Sequence, residues 1–140
     1  MTALDGTQIL QTETVEDAFQ NHIGDLDFPA AIKTAEPPTT ADFNAGPGYK
    51  FGLGLLLNTE DQPGARAAGT GAWAGLFNTH FWVDRSSGVT GAIYSQTLPF
   101  VEPPVFQMYA DFERALYASL EQGTVRSGRF ERAEAEVPQA

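Results

Sequence analysis

Apolar and polar residues alternate through the middle of the chain, and this alternation predicts β-strands. The clearest stretch is Tyr49 to Asn58, where leucine and phenylalanine recur at every second position. Gly52 and Gly54 interrupt it, which indicates that another backbone or a ligand approaches closely there. A turn is predicted at Arg85 to Gly88, because glycine suits a left-handed conformation. The predicted strands are 49–58, 69–76, 77–84 and 89–97.

Two segments show helical rather than alternating periodicity. Thr12 to Asn21 is predicted to form a short helix capped by Thr14 and stopped near Gly24. A longer helix is predicted from Pro103, since proline is tolerated where the first helical amides have no partner. Gly123 is expected to end it. Its apolar stripe consists of Val105, Met108, Tyr109, Phe112, Leu116 and Leu120.

The order of these elements predicts an α+β fold. Three to four antiparallel strands would form a sheet, and the C-terminal helix would pack on it. Residues 25–48 contain four prolines and little periodicity, so they are predicted to form a long ordered loop. The predicted domain covers residues 1–123, and residues 124–140 form a polar tail.

Composition narrows the possible functions. The 140-residue chain suits one domain, and its formal net charge of −10 would repel a phosphate backbone, so nucleic-acid binding is not expected. It contains no cysteine, which excludes disulfides and thiolate chemistry. No apolar run is long enough to span a membrane, so no membrane association is expected. The start lacks a basic segment, which favours a cytoplasmic location if Met1 is the true start.

Several isolated polar residues are possible functional sites. His22 and His80 lack a local carboxylate pattern, so no metal site is predicted, and His80 is expected to be a hydrogen-bonded sheet residue. The acidic pairs Asp25 with Asp27 and Asp111 with Glu113 could serve as acid and base, but exposed charge is the favoured interpretation. Gly46-Pro47-Gly48 lacks the spacing of a phosphate-binding loop, and no cofactor is predicted.

An ordered series of motifs carries more information than any of these residues. It consists of Phe51-Gly-Leu-Gly54, Trp73-Ala74-Gly75, Phe81-Trp-Val-Asp84, Gln96-Thr-Leu-Pro-Phe100 and the helix near Pro104. In this order the series resembles the C-terminal portion of the β-lactamase-related serine hydrolases, which include esterases, penicillin-binding proteins and class C-type β-lactamases. The resemblance covers about residues 4 to 120 and also includes His22 to Leu26.

The resemblance implies a substrate-binding role for one strand. Trp73-Ala74-Gly75 matches the third family motif, which is Lys-Thr-Gly in many members and Trp-Gly-Gly or Trp-Ala-Gly in esterase-like ones. Its small residues would let substrate lie against the strand, and the amide of Leu76 would supply half of an oxyanion hole. The substrate in the complete family is a small-molecule ester or amide.

The catalytic motifs of the family are absent from this sequence. A serine nucleophile needs a neighbouring base, which the family provides as Ser-x-x-Lys. Neither Lys33 nor Lys50 follows a serine at that spacing, and the tyrosine motif has only a loose match at Tyr117-Ala-Ser119. No catalytic residue is therefore assigned to this chain.

Two hypotheses follow for function. In the first, the chain is a C-terminal fragment of a serine hydrolase, inactive alone, whose partner would be the missing N-terminal half or a second copy of itself. In the second, it is a non-catalytic binding or interaction module that reuses the half-fold, and the 25–48 loop and the glycine-rich strand would form its cleft. The fragment hypothesis predicts an exposed apolar patch larger than the few hundred Å² usual for a monomer.

Overall fold

The structure is a computed structural model, and it describes residues 5–29, 32–33, 35–36 and 48–121. These residues form two helices and five strands. In chain order the elements are α1 (Thr12–Ala18), β1 (Tyr49–Phe51), β2 (Leu56–Asn58), β3 (Gly71–Gly75), β4 (Thr79–Asp84), β5 (Val89–Ile93) and α2 (Pro103–Glu121).

The five strands make a single antiparallel sheet in the order β1-β2-β3-β4-β5. Together with the C-terminal helix, this sheet confirms the predicted α+β class. The strand count differs because residues 49–58 form a hairpin rather than one strand. Gly54 has a φ of 77°, which turns the chain, and the Gly52 amide donates to the Leu55 carbonyl at 2.8 Å.

Gly52 is the site of the close approach that the sequence predicted, and the approaching group is backbone. A Cβ atom on Gly52 would lie 2.2 Å from the carbonyl oxygen of Ala18, at the end of α1. The amide of Leu53 donates to the same oxygen at 3.1 Å. The hairpin is therefore fastened to α1, and glycine is required because a side chain would displace the helix end.

Helix α1 begins and ends differently from the prediction. Thr14 lies inside the helix, Gln11 occupies the N-cap position, and its side chain makes no capping hydrogen bond. The helix stops at Ala18, and the amides of Phe19 and Gln20 are bonded to the carbonyls of its last turn. The predicted cap was wrong because Thr12 and Glu13 are already helical.

Helix α2 packs on one face of the sheet around Trp82, which is fully buried. Directly paired residues of neighbouring strands share a face. Ala72 and Gly91 are the register partners of Trp82, so they lie on this face with it. The rings of Tyr109 and Tyr117 complete the buried cluster. Partly buried side chains surround it: Ala72, Ile93, Leu116 and Leu120.

The buried face of α2 is rotated from the predicted stripe. Tyr109, Glu113 and Tyr117 are buried at a spacing of four residues. Met108 and Phe112, which the periodicity placed in the core, are 51% and 43% exposed. The prediction was wrong for these two because a charged residue, Glu113, takes a core position by pairing with a cation on the opposite loop.

The opposite face of the sheet carries a separate aromatic group. Trp73 makes edge contacts with Phe28 and Phe51, at centroid separations of 6.3 and 5.3 Å. Phe28 and Phe51 stack on each other at 5.8 Å. Trp73 is still 38% exposed, so this group covers only part of its ring.

Gly91 allows the Trp82 ring to lie flat on the sheet. A Cβ atom at this position would lie 2.1 Å from Cη2 of Trp82, which is fully buried and has no room to move. We expect Gly91→Ala to destabilise the chain by at least about 1–3 kcal/mol through overpacking, measured by urea unfolding. Gly75→Ala is the matched control, since its new Cβ would have no neighbour closer than 3.8 Å. Equal losses in the two variants would contradict the steric account.

Strand β5 lies at the edge of the sheet. Within the described residues it pairs with β4 alone, from His80 with Ile93 to Asp84 with Val89. The predicted turn at 85–88 connects these strands, and Gly88 has the expected positive φ of 68°. The outer edge of β5 therefore presents backbone amides and carbonyls that no described strand pairs.

Some predictions fall outside the described residues. Most of the predicted loop at 25–48, the helix stop at Gly123 and the tail at 124–140 lie there. Across the ranges that the structure describes, no helix is both long and apolar enough to cross a membrane.

Candidate functional site

A cavity of about 700 Å³ lies between the sheet and the first half of α2. Its lining comes from strands β1 to β4, from the loop that joins β2 to β3, from Ile32 and Leu76, and from residues between 100 and 114. Its size falls within the range of roughly 300–1,000 Å³ usual for small-molecule sites. The lining includes polar, aromatic and small residues from several elements: Asn58, Arg66, Trp73, Ala74, Gly75, Leu76, His80, Tyr109 and Glu113.

All four residues of the predicted substrate-binding strand lie on this cavity: Trp73, Ala74, Gly75 and Leu76. Trp73 also borders a second, smaller cavity of about 390 Å³ on the opposite face of the sheet. The strand is therefore accessible and is not sealed in a closed core. The role of these four residues in binding substrate stays a prediction, since their placement alone does not test it.

Strand β3 is paired unequally along its two edges beside the cavity. Its partner β2 pairs with only Gly71 and Ala72, whereas β4 pairs with the whole strand. The segment from Trp73 to Gly75 is therefore bordered by β4 but not by β2.

Leu76 follows the last residue pair of the β3–β4 ladder, which joins Gly75 and Thr79. Its amide is therefore outside the ladder, at the position that the sequence assigned to an oxyanion donor. Gly75 meets no heavy atom within 3.8 Å of its missing Cβ, so the backbone there is open to a close approach. Half of an oxyanion hole could form here without moving the strand.

Asn78, which the sequence analysis overlooked, fixes the connection behind Leu76. It has a positive φ of 61° and is fully buried. Its amide nitrogen donates to the carbonyls of Thr97 and Pro99, each at 2.8 Å, and its oxygen accepts from the Val101 amide at 2.7 Å. One side chain thus ties the β3–β4 turn to the segment before α2. Asparagine suits this position because it tolerates the left-handed region.

Arg66 and Glu113 form a buried two-point ion pair on the cavity lining. Nε and Nη2 of Arg66 donate to the two carboxylate oxygens of Glu113, at 2.6 and 2.8 Å. Nη2 also donates to the hydroxyl of Tyr109. The guanidinium lies over the Trp82 ring at 5.3 Å. Burial opposes the charge of Arg66, but these partners outweigh it and raise its pKa.

A second polar anchor lies beside the first. Asp84 accepts from the Tyr117 hydroxyl at 2.8 Å and from the amides of Ala67 and Ser87 at 3.2 and 3.1 Å. Burial alone would raise the pKa of Asp84, but these hydrogen bonds outweigh it and lower the pKa. Burial, with the acceptor Asp84 nearby, raises the pKa of Tyr117. Two adjacent residues, Arg66 and Ala67, therefore fasten the β2–β3 loop to the core.

His80 is a buried titratable side chain that contacts three aromatic rings. It is 5% exposed and stacks on Tyr109 at 4.6 Å, with Phe100 and Phe106 within 6.2 Å. Burial lowers its pKa, and the charge of Arg66 lowers it further. Its Nε2 atom is buried and has no hydrogen-bond partner in the part of the chain that the structure describes. The expectation of a hydrogen-bonded sheet residue was therefore wrong for the Nε2 atom.

Because the pKa of His80 is lowered in the folded chain, we expect the free energy of unfolding to depend on pH. Between its folded-state pKa and the ordinary value of 6.5, the unfolded chain binds a proton that the folded chain does not. The free energy of unfolding is therefore expected to fall as pH decreases from about 7 to 5. His80→Phe removes this part of the pH dependence, and His22→Phe is the control. A slope over that range that is unchanged in His80→Phe would contradict the assignment.

The acidic pairs divide between surface and core. Asp25, Asp27 and Asp111 are exposed, as favoured from the sequence, and Asp27 pairs with Lys50 at 3.1 Å. Glu113 is buried, so the exposed-charge interpretation was wrong for that residue. The sequence gave no local signal for its partner, because Arg66 is 47 positions away. In the described ranges, no group of three or more potential metal-ligating side chains occurs.

Comparison with known proteins gives a match in structure alone. No protein-family model matches the chain, and neither does any curated protein sequence. Solved structures of simvastatin synthase (LovD) from Aspergillus terreus do match. The unliganded enzyme is 28% identical over 54% of this chain, with a TM-score of 0.52. The LovD6 mutant is 24% identical over 82% of this chain, with a TM-score of 0.63.

These neighbours have a β-lactamase-like fold, so the superfamily suggested by the motifs is supported. They do not identify a particular family within it. The match covers 20% of the unliganded enzyme and 30% of the LovD6 mutant. The chain thus spans less than a third of the length of the enzymes it resembles.

Proposed function

We propose that this chain is the C-terminal part of a β-lactamase-related serine hydrolase or acyltransferase. Its Trp73-to-Leu76 segment would line the acyl-transfer pocket. The observation that carries the proposal is the position of these four residues, all of which line a cavity of about 700 Å³. The structural similarity to simvastatin synthase supports the proposal, since that enzyme is a β-lactamase-like acyltransferase.

The proposed chemistry is attack on a small-molecule ester or amide carbonyl. A serine supplied by the rest of the enzyme would attack the carbonyl carbon and form an acyl-enzyme, which water or an alcohol would then cleave. The amide of Leu76 would donate to the carbonyl oxygen as negative charge develops on it. Trp73 would pack against the substrate, and Ala74 and Gly75 would leave space for it.

We expect the chain to be inactive on its own, because no described residue supplies an activated nucleophile. Lys50 is the only lysine that lies in a described strand, and its Nζ atom bonds to the Leu26 carbonyl and to Asp27. Ser119 donates to the Leu116 carbonyl within α2, as a packing residue would. Neither of these two residues has a partner that would make it a nucleophile or a general base.

The proposal is tested by complementation. The chain is mixed or co-expressed with the N-terminal portion of simvastatin synthase that precedes the matched region, and hydrolysis of p-nitrophenyl butyrate is followed. We expect saturable turnover only when both polypeptides are present. The control is the same mixture with the serine of Ser-x-x-Lys replaced by alanine. Turnover by this chain alone that survives purification would contradict the proposed inactivity.

The alternative is a non-catalytic binding module, and the two buried polar anchors favour it. They hold the β2–β3 loop and α2 in place around the cavity without any contribution from another polypeptide. A ligand-dependent rise in melting temperature, with no turnover in the complementation mixture, would favour this alternative.

A further inference from the structure

Two residues of the cavity lining each carry a buried polar atom that has no hydrogen-bond partner among the described residues. Nε2 of His80 and Oδ1 of Asn58 have no hydrogen-bond partner in the described part of the chain. Both residues line the cavity, and they are 5% and 4% exposed. A buried polar atom without a partner costs free energy, so a ligand that supplies the missing bond gains from it.

The hydrogen-bonding role of Asn58 is fixed by its surroundings. Its Nδ2 atom donates to the carbonyls of Glu60 and Ala67, at 2.9 and 2.8 Å. Both donors of the amide are therefore used, and the free atom is the oxygen, which can only accept. A ligand that pairs with it must carry a donor such as a hydroxyl.

The charges around the cavity disfavour ions. Glu113 already neutralises Arg66 through both carboxylate oxygens, so neither is available to a charged ligand. A carboxylate would face the unpaired oxygen of Asn58 and a chain of net charge −10. An ammonium would face two guanidinium groups of the lining, those of Arg66 and Arg114, which already pair with Glu113 and Asp111. Burying an unpaired charge is expensive in either case.

The remaining lining is largely apolar and aromatic. Phe100, Phe106 and the Tyr109 ring enclose His80 on the side of α2, and Leu56, Ala72 and Ala74 come from the sheet. Pockets of this kind bind mainly apolar molecules, and a few polar groups fix their orientation.

We infer that this cavity binds an uncharged, mainly apolar small molecule that carries a hydroxyl group, with His80 and Asn58 as its polar contacts. The site lies between the sheet and α2, and binding needs only residues of this chain. The inference therefore holds whether or not a nucleophile is supplied from elsewhere. If the chain binds such an alcohol but the complementation mixture shows no turnover, the proposed acyl transfer is rejected and the binding inference is not.

Three matched probes test the inference on the whole chain: 2-(2-naphthyl)ethanol, 2-ethylnaphthalene and 2-naphthylacetate. Affinities are measured by titration followed by NMR. The alcohol is expected to bind roughly threefold to tenfold more tightly than the hydrocarbon, the difference that one hydrogen bond supplies. The anion is expected to bind at least roughly tenfold more weakly than the alcohol. Equal affinity for alcohol and hydrocarbon, or no binding of the alcohol, would overturn the inference.

The chemical shifts of the His80 ring nitrogens give a second test, which can be measured on the unsubstituted chain. The alcohol is expected to shift the Nε2 resonance in a long-range ¹H–¹⁵N spectrum, whereas the hydrocarbon leaves it unchanged. His80→Phe assigns the signal and is expected to abolish the preference for the alcohol, while His22→Phe, at a position outside the cavity lining, retains it. The role of His80 would be overturned by two results together: His80→Phe still prefers the alcohol to the hydrocarbon, and the alcohol does not shift the Nε2 resonance of the unsubstituted chain.

Discussion

Replacing Arg66 by methionine is expected to destabilise the chain by about 3–5 kcal/mol, because Glu113 would be left as an uncompensated buried charge. The side chains of Arg66 and Glu113 are 9% and 7% exposed, so water does not screen the pair. A loss of this size is comparable with the whole stability of a small domain, roughly 5–15 kcal/mol. Urea unfolding followed by tryptophan fluorescence measures it, since Trp82 lies against the guanidinium.

Two controls separate burial from charge in this experiment. Arg114→Met breaks a pair with Asp111 in which both side chains are 63% exposed, and its effect is expected to stay within about 0.5 kcal/mol. The double variant Arg66→Met with Glu113→Leu is expected to recover most of the lost stability, because no unpaired charge remains. Losses as small for Arg66→Met as for Arg114→Met would show that the buried pair is not a structural anchor.

Leu76→Pro is expected to lower the rate of the complemented enzyme by roughly 10²–10³-fold, the usual effect of removing one oxyanion donor. Proline has no amide hydrogen, and the amide of Leu76 lies outside the strand ladder. The ladder itself would therefore keep its hydrogen bonds. The measurement is kcat for p-nitrophenyl butyrate in the complementation mixture, which requires that the proposed function holds.

Leu76→Ala is the matched control for that variant. The side chain of Leu76 is 46% exposed, so its truncation is expected to change KM more than kcat. Urea unfolding of both variants checks that the proline has not unfolded the strand. A Leu76→Pro enzyme with the kcat of Leu76→Ala and an intact fold would exclude the amide as an oxyanion donor.

Periodicity alone recovered the order of the elements and most of their positions. Pro103 opens α2, Gly88 closes the predicted turn, and the sheet is antiparallel, because each of these follows from local chemistry. The hairpin at 49–58 was missed because its turn residues are leucine and glycine within a continuous apolar run. Gly52 nevertheless marked the approach of α1 correctly, whereas nothing lies within 4 Å of the missing Cβ of Gly54.

Only some of the residues that form the candidate site could be predicted from the sequence. The order of motifs predicted Trp73 to Leu76 as substrate-binding residues; they line the cavity, and their role stays a prediction. The features that shape the cavity are contacts between distant segments. Arg66 with Glu113, and Asn78 with Thr97, are separated by 47 and 19 positions and leave no periodic trace. The exposed side chains of Met108 and Phe112 stay consistent with the predicted apolar patch, whose area remains a prediction.

The outer edge of β5 has a practical consequence for handling the isolated polypeptide. From Val89 to Ile93 it carries no charged residue and no proline, which are the devices that discourage such an edge from recruiting further strands. Two copies could align these segments side by side, and repetition of that contact would build fibrils or precipitate. Aggregation of this kind is expected first in concentrated samples at low pH, because protonation of the carboxylates removes the charge repulsion between copies.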